Sequence, residues 1–118
     1  WTLGNHLTEF SDCFYHDGKS DADLLVANIA FAEALTAHGL TGADLGVSQL
    51  WPRAGAPAGI DNAISFKWIT GYPKHSAYAN FTHIWWNEGL TNEWNALYGD
   101  IVSCDAGRVY QSQVMNTP

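Results

Sequence analysis

Two long helix-like stretches, residues 21–38 and 75–99, are each bracketed in the chain by strand-like runs, and that order leaves few folds open. Residues 7–16 carry aromatic and β-prone side chains in loose alternation and read as a strand. The turn Asp17-Gly18-Lys19 follows. Ser20 has Asp23 three residues on, close to a capping box, and Asp21 also sits in the first turn, where the helix dipole favours acids. Gly39 suits a left-handed helix stop. Residues 44–51 read as a second strand ending at Trp51-Pro52, and the loop from Arg53 to Gly59 is all turn chemistry. Residues 63–70 read as a third strand, stopped by Gly71-Tyr72-Pro73. A second helix is expected over 75–88, broken at Gly89, restarted with Thr91 as cap and ended at Gly99. Residues 102–114 make a final strand.

With right-handed crossovers, the order βαββαβ gives an α+β fold: a four-stranded antiparallel sheet with two helices on one face. Residues 7–114 thereby resemble the ferredoxin-like fold, and in particular the dimeric α+β-barrel superfamily. The resemblance is one of element order, and none of that group's active-site residues can be matched position by position. It implies sheets paired into a barrel between two copies and small ligands held between sheet and helices. The group includes monooxygenases, isomerases and haem enzymes, so the fold alone does not name a function.

At 118 residues the chain is expected to be a single domain, 1–118, large enough for one core. Charged residues make up only 14%, against roughly 25% in an average soluble domain. A small monomer normally covers its helices with Lys and Glu, so the shortfall points to surface buried against another copy or a neighbouring domain. The formal net charge of −7, with five scattered Lys and Arg, argues against nucleic acid and against a polybasic membrane patch. No stretch approaches the apolar length of a membrane span. The chain starts at Trp1 without an initiator Met, which reads as a processed product or an excerpt; a secreted or periplasmic location is expected.

Cys13 and Cys104 are the only cysteines, and the choice is between a disulfide and two buried thiols. The first and last strands are neighbours in this topology. If Cys13 faces Cys104, then Glu9 faces Arg108, Phe10 faces Gly107, and Asp12 faces Asp105. The first two pairings are favourable and the third repels unless a cation bridges it. The register therefore favours the disulfide.

Both helices look apolar on two sides. In the second, Ala77, Tyr78, Phe81, Ile84 and Trp85 share a core face, while His75, Ala79, Trp86 and Leu90 fall opposite, where a partner or ligand would cover them. In the first, Leu24, Phe31 and Leu35 line one stripe and Leu25, Ile29 and Ala32 extend it round one flank.

The remaining candidates for chemistry are weak. Gly18-Lys19-Ser20 lacks the glycine a phosphate loop needs. Glu88 falls on the apolar side of its helix and, buried there, could serve as an acid or base; His83, eight residues from His75, is a second weak catalytic candidate. His16, Asp12, Asp17 and Asp105 cluster without a recognised metal-ligand spacing, so neither a metal nor another cofactor is implied. Trp51, Trp68, Trp85, Trp86 and Trp94 could include a platform for a flat ligand, and Asn80-Phe81-Thr82 matches a glycosylation sequon. The leading reading is a homo-oligomeric domain binding a small apolar or aromatic ligand. A structural subunit of an extracellular self-assembling fibre or layer is the alternative, and a cofactor-independent enzyme is the third.

Overall fold

A computed structural model describes residues 4–52 and 64–115. The first strand, β1 (Gly4–Tyr15), is the spine of the sheet, because it pairs antiparallel on both edges. On one side it meets β3 (Phe66–Tyr72), which in turn carries the edge strand β2 (Gly46–Leu50). On the other side it meets β4 (Val102–Cys104) and then β5 (Arg108–Val114). The order β2-β3-β1-β4, with β5 continuing along β1, is the ferredoxin-like arrangement read from the sequence. The loop from Arg53 to Gly59 lies outside the described residues.

The final strand departs from the expectation. Cys13 pairs with Cys104, but Phe10 pairs with Arg108: three residues along β1 are matched by four along the last strand. One extra residue is accommodated around residues 105–107, so the strand is split into β4 and β5 and the sheet has five strands, not four. The register beyond the split is shifted by one. Glu9 consequently faces Val109, not Arg108, and Phe10 faces Arg108, not Gly107.

Helix α1 (Asp21–Ala37) starts where Asp23 reaches back to accept the Ser20 backbone N–H at 3.0 Å. It ends in a Schellman motif: Gly39 has φ 77°, its N–H donates to Thr36 O at 2.9 Å, and Leu40 N–H donates to Leu35 O at 3.0 Å. Helix α2 (His75–Asn87) and helix α3 (Leu90–Tyr98) are separated by Gly89 at φ 82°. Positive φ at Gly89 turns the chain sharply, so Leu90 opens α3 on a new axis and is fully buried. The expectation that Leu90 lies outward with His75 and Trp86 is corrected on that ground.

All three helices pack on the sheet face that carries Leu7, Cys13, Phe66 and Tyr72, with Leu24, Phe31, Ile84, Leu90 and Tyr98 completing the core. Tyr98 Oη donates to Asn28 Oδ1 at 2.7 Å, and Asn28 exchanges amide hydrogen bonds with Gln49 on β2 (2.7 and 2.9 Å). That polar chain fixes α1 and α3 over the β2 edge. Strand alternation points Phe10, Phe14, Ile69, Leu50 and Tyr110 to the opposite face, on which no helix lies among the described residues.

Candidate functional site

The functional region grows from the alternation of β1 and β3. Glu9 and Ser11 lie on the same face of β1 as Cys13, and Trp68, Thr70 and Tyr72 lie on the same face of β3 as Phe66. Over them stands α2, which lines the space with Tyr78, Phe81, Thr82 and Trp85 and, at its exposed rim, Trp86. Between the two is a cleft of about 340 Å³, continued by Phe31 of α1, Trp94 of α3 and the Cys104–Gly107 stretch.

Its wall is a chain of ring contacts. Tyr72 meets Tyr78 edge-on at 5.1 Å and Phe81 at 5.7 Å; Phe81 stacks on Trp85 at 5.9 Å. Trp85 meets Trp94 at 6.2 Å, Trp94 meets Trp68 at 6.0 Å, and Trp68 meets Phe31 at 6.0 Å. Ring edges against ring faces at these spacings are favourable beyond area burial.

Polar groups are few. Tyr72 is fully buried, yet its hydroxyl has no hydrogen-bond partner among the described residues. Burial, and after it the nearby Glu9 carboxylate, push that phenol far above its ordinary range. Glu9 is half-buried, and desolvation raises its carboxyl above the usual 4.5. Its side chain lies over Gly107, where an added Cβ would come within 2.8 Å of Oε2, so the bare glycine is what leaves the carboxylate its place.

Of the residues singled out in the sequence, Trp68 and Trp86 both line this cleft, Trp86 at an exposed position. His75 opens α2 and His83 lies along it, both solvent-facing; His83 Nδ1 is 3.3 Å from Asn87 Nδ2. Glu88 is exposed and not on an apolar face: α2 ends at Asn87, and at φ −115° Glu88 has left the helical spiral that the 100° projection assumes. Cys13 and Cys104 form the disulfide that bounds the cleft region on the sheet. His16 is engaged away from the acids, with its ring nitrogens 3.0 Å from Asp100 O and 2.7 Å from Ser103 Oγ. The sequon residues Phe81 and Thr82 belong to the cleft wall.

Glu9 and Tyr72 were not singled out as site residues from the sequence, whereas Trp94, named there as part of a possible ring platform, does line the cleft. The clue to Glu9 was present, because a core-facing Cys13 places Glu9 on the core side by strand period alone.

No family profile and no curated protein sequence matches the chain. Similarity to solved structures is extensive in shape and low in sequence. SnoaB, a cofactor-independent oxygenase from Streptomyces nogalater, is 13% identical with a TM-score of 0.55, over 95% of this chain and 97% of that one. A dimeric ferredoxin-like protein of unknown function from Thermobifida fusca is 10% identical with a TM-score of 0.53, over 97% and 95%. A putative chlorite dismutase, TA0507, is 10% identical with a TM-score of 0.51 over 92% of this chain, which spans only 44% of that protein. The chain shares the ferredoxin-like fold of these structures.

Proposed function

We propose that this single domain is a homo-oligomeric small-ligand-binding protein that takes an apolar or aromatic molecule into the cleft between α2 and the sheet. The observation that carries the reading is the cleft itself: about 340 Å³, walled by seven linked rings, with the buried Tyr72 hydroxyl unpartnered among the described residues. Mostly apolar lining with a few convergent polar groups is the usual make-up of a small-molecule site. The test is calorimetry with 2-naphthylmethanol, a neutral flat probe, on the wild type and on Thr82→Trp, which places a bulky ring in the cleft from α2. Binding that Thr82→Trp abolishes, with the circular dichroism unchanged, supports the reading; binding that survives it places the ligand elsewhere.

Self-association rests on the open sheet face. Phe10 and Tyr110 meet edge-on there at 5.7 Å, and Leu50 and Tyr110 are exposed. Pairing two such faces would bury them, and the similar protein from Thermobifida fusca is described as dimeric. The disulfide fits an oxidising compartment, so we place the protein in a secreted or periplasmic setting. The fibre or layer reading draws instead on the exposed Leu25, Val26 and Ile29 of α1, an apolar patch suited to an open contact.

A cofactor-independent enzyme is a second reading of the same cleft. Glu9, a half-buried carboxylate whose proton affinity is raised, is the group placed to take a proton from a bound ligand. Glu88 and His83, both facing solvent, are not.

A further inference from the structure

Building on the cleft as a ligand site, we propose that it selects an organic ammonium ion, a protonated primary or secondary amine carried on an aromatic or apolar body. Among the described residues, the ionisable side chains lining the cleft besides its tyrosines are Glu9 and Asp105, with no Lys, Arg or His. Asp105 is already engaged, with Oδ2 2.9 Å from Arg108 and Oδ1 accepting the Asp12 N–H at 2.7 Å. The Glu9 carboxylate has neither an ion pair nor a hydrogen bond among the described residues, and burial is the one cause of its raised proton affinity. A carboxylate held half-buried without a counter-charge is costly, and an incoming cation relieves that cost.

The rings point the same way. Trp68, Trp85 and Trp94 line the cleft, and an indole attracts a cation that comes over its face while disfavouring an anion there. Tyr72 distinguishes among cations. Its buried oxygen has no partner among the described residues, and an ammonium N–H that reaches it, once ligand entry shifts the rings covering it, can donate there while another donates to Glu9. A quaternary ammonium would satisfy the rings and leave Tyr72 unpaired. Phe81, Phe31 and Val47 supply surface for the apolar body. A chain with a formal net charge of −7 also draws cations toward its surface.

Three near-isosteric probes separate the contributions: 2-naphthylmethylammonium, 2-naphthylmethanol and 2-naphthoate, titrated calorimetrically into the full chain at neutral pH. The ammonium is expected to bind roughly tenfold or more tighter than the alcohol, as one charge-assisted hydrogen bond implies, and the naphthoate more weakly than either. Glu9→Gln is expected to collapse the ammonium-to-alcohol ratio toward one, and Tyr72→Phe to lower it, giving a second reading should Glu9→Gln fold poorly. Alcohol affinity equal to or above that of the ammonium, still abolished by Thr82→Trp, overturns the inference and leaves the ligand site standing. Failure of all three probes to bind in the cleft overturns both.

Discussion

Asp12 and Asp105 share one arginine: Arg108 reaches Asp12 Oδ2 at 3.3 Å and Asp105 Oδ2 at 2.9 Å, while Lys67 holds Asp12 Oδ1 at 2.6 Å. Two like charges meet across the sheet at the point where the last strand gains its extra residue, and Arg108 is the bridge that makes this tolerable. Arg108→Ala is expected to lower the melting temperature modestly at low ionic strength, since the cluster is largely solvent-exposed. The difference should close near 1 M salt, where screening acts within about 3 Å. Hydrogen bonding from the Asp12 N–H, and then Arg108, hold the Asp105 carboxyl below its ordinary 3.8. With the folded value lowered, the stabilisation is present above 3.8 and fades as pH falls through the folded value. Asp105→Asn should therefore flatten the acid limb of the wild-type stability curve.

The disulfide joins residues 91 apart in sequence and crosses from the central strand to the last one. Loop-closure arguments assign a cross-link of that span roughly 4.6 kcal/mol, acting mainly by restricting the unfolded chain. Cys13→Ala with Cys104→Ala is expected to lose a stability of that order in urea unfolding. Added reductant should have no effect on the double variant while destabilising the wild type.

Much of the fold was legible because its punctuation is strong. Gly39 and Gly89 end helices at positive φ, Asp23 caps Ser20, and the cysteine pair sets the β1–β4 register. What escaped has a common cause. The extra residue around 105–107 arises from how the strand meets its neighbour, and nothing local in Asp105-Ala106-Gly107 announces it except a glycine. The helical projection that put Glu88 on an apolar face and Leu90 on the outside assumes one straight axis through Gly89, and the chain changes axis there. The cleft residues were scattered over β1, β3, α2 and α3, so only their assembly reveals that Glu9 and Tyr72 share a space. Trp68 and Trp86 were named for their size and reach that space by way of the fold.

Glu9 offers a pH test with a definite sign. Its folded pKa is raised above 4.5 by desolvation, so the native state holds the proton more tightly than the unfolded chain. Stability then falls as pH rises through the window from 4.5 to the raised folded value, and stays reduced above it. Glu9→Gln is expected to melt higher than the wild type at pH 7, with the advantage vanishing below pH 4.5. A constant difference at all pH values would mean that the carboxylate is well solvated.

Tyr72 should show a trade between stability and binding. Its buried hydroxyl lacks a partner among the described residues, and such a group costs desolvation without return. Tyr72→Phe keeps the ring contacts with Tyr78 and Phe81 and removes the cost. The expected outcome is a gain of up to about 1 kcal/mol in urea unfolding, together with weaker ammonium binding. A clear loss of stability would mean that the hydroxyl has a partner in solution, such as an ordered water.

Association can be assigned to a surface by comparing two charges placed on opposite sides of the molecule. Ile69 sits on the helix-free face of β3, paired with Phe10 of β1, whereas Leu25 sits outward on α1 and is 61% exposed. A closed dimer made by pairing sheets buries Ile69 and leaves Leu25 in solvent, so Ile69→Asp is expected to halve the mass measured by light scattering and Leu25→Asp to leave it unchanged. An open assembly through α1 gives the reverse, with species that grow with concentration until Leu25→Asp disperses them, because a head-to-tail contact does not close on itself. Trp86→Asp serves as the control for the cleft: Trp86 is exposed but lines the ligand space with Trp85, so its loss should alter probe binding more than mass. A wild type that stays monomeric at high concentration would remove self-association from the proposed function and leave the low surface charge to be covered by a different protein.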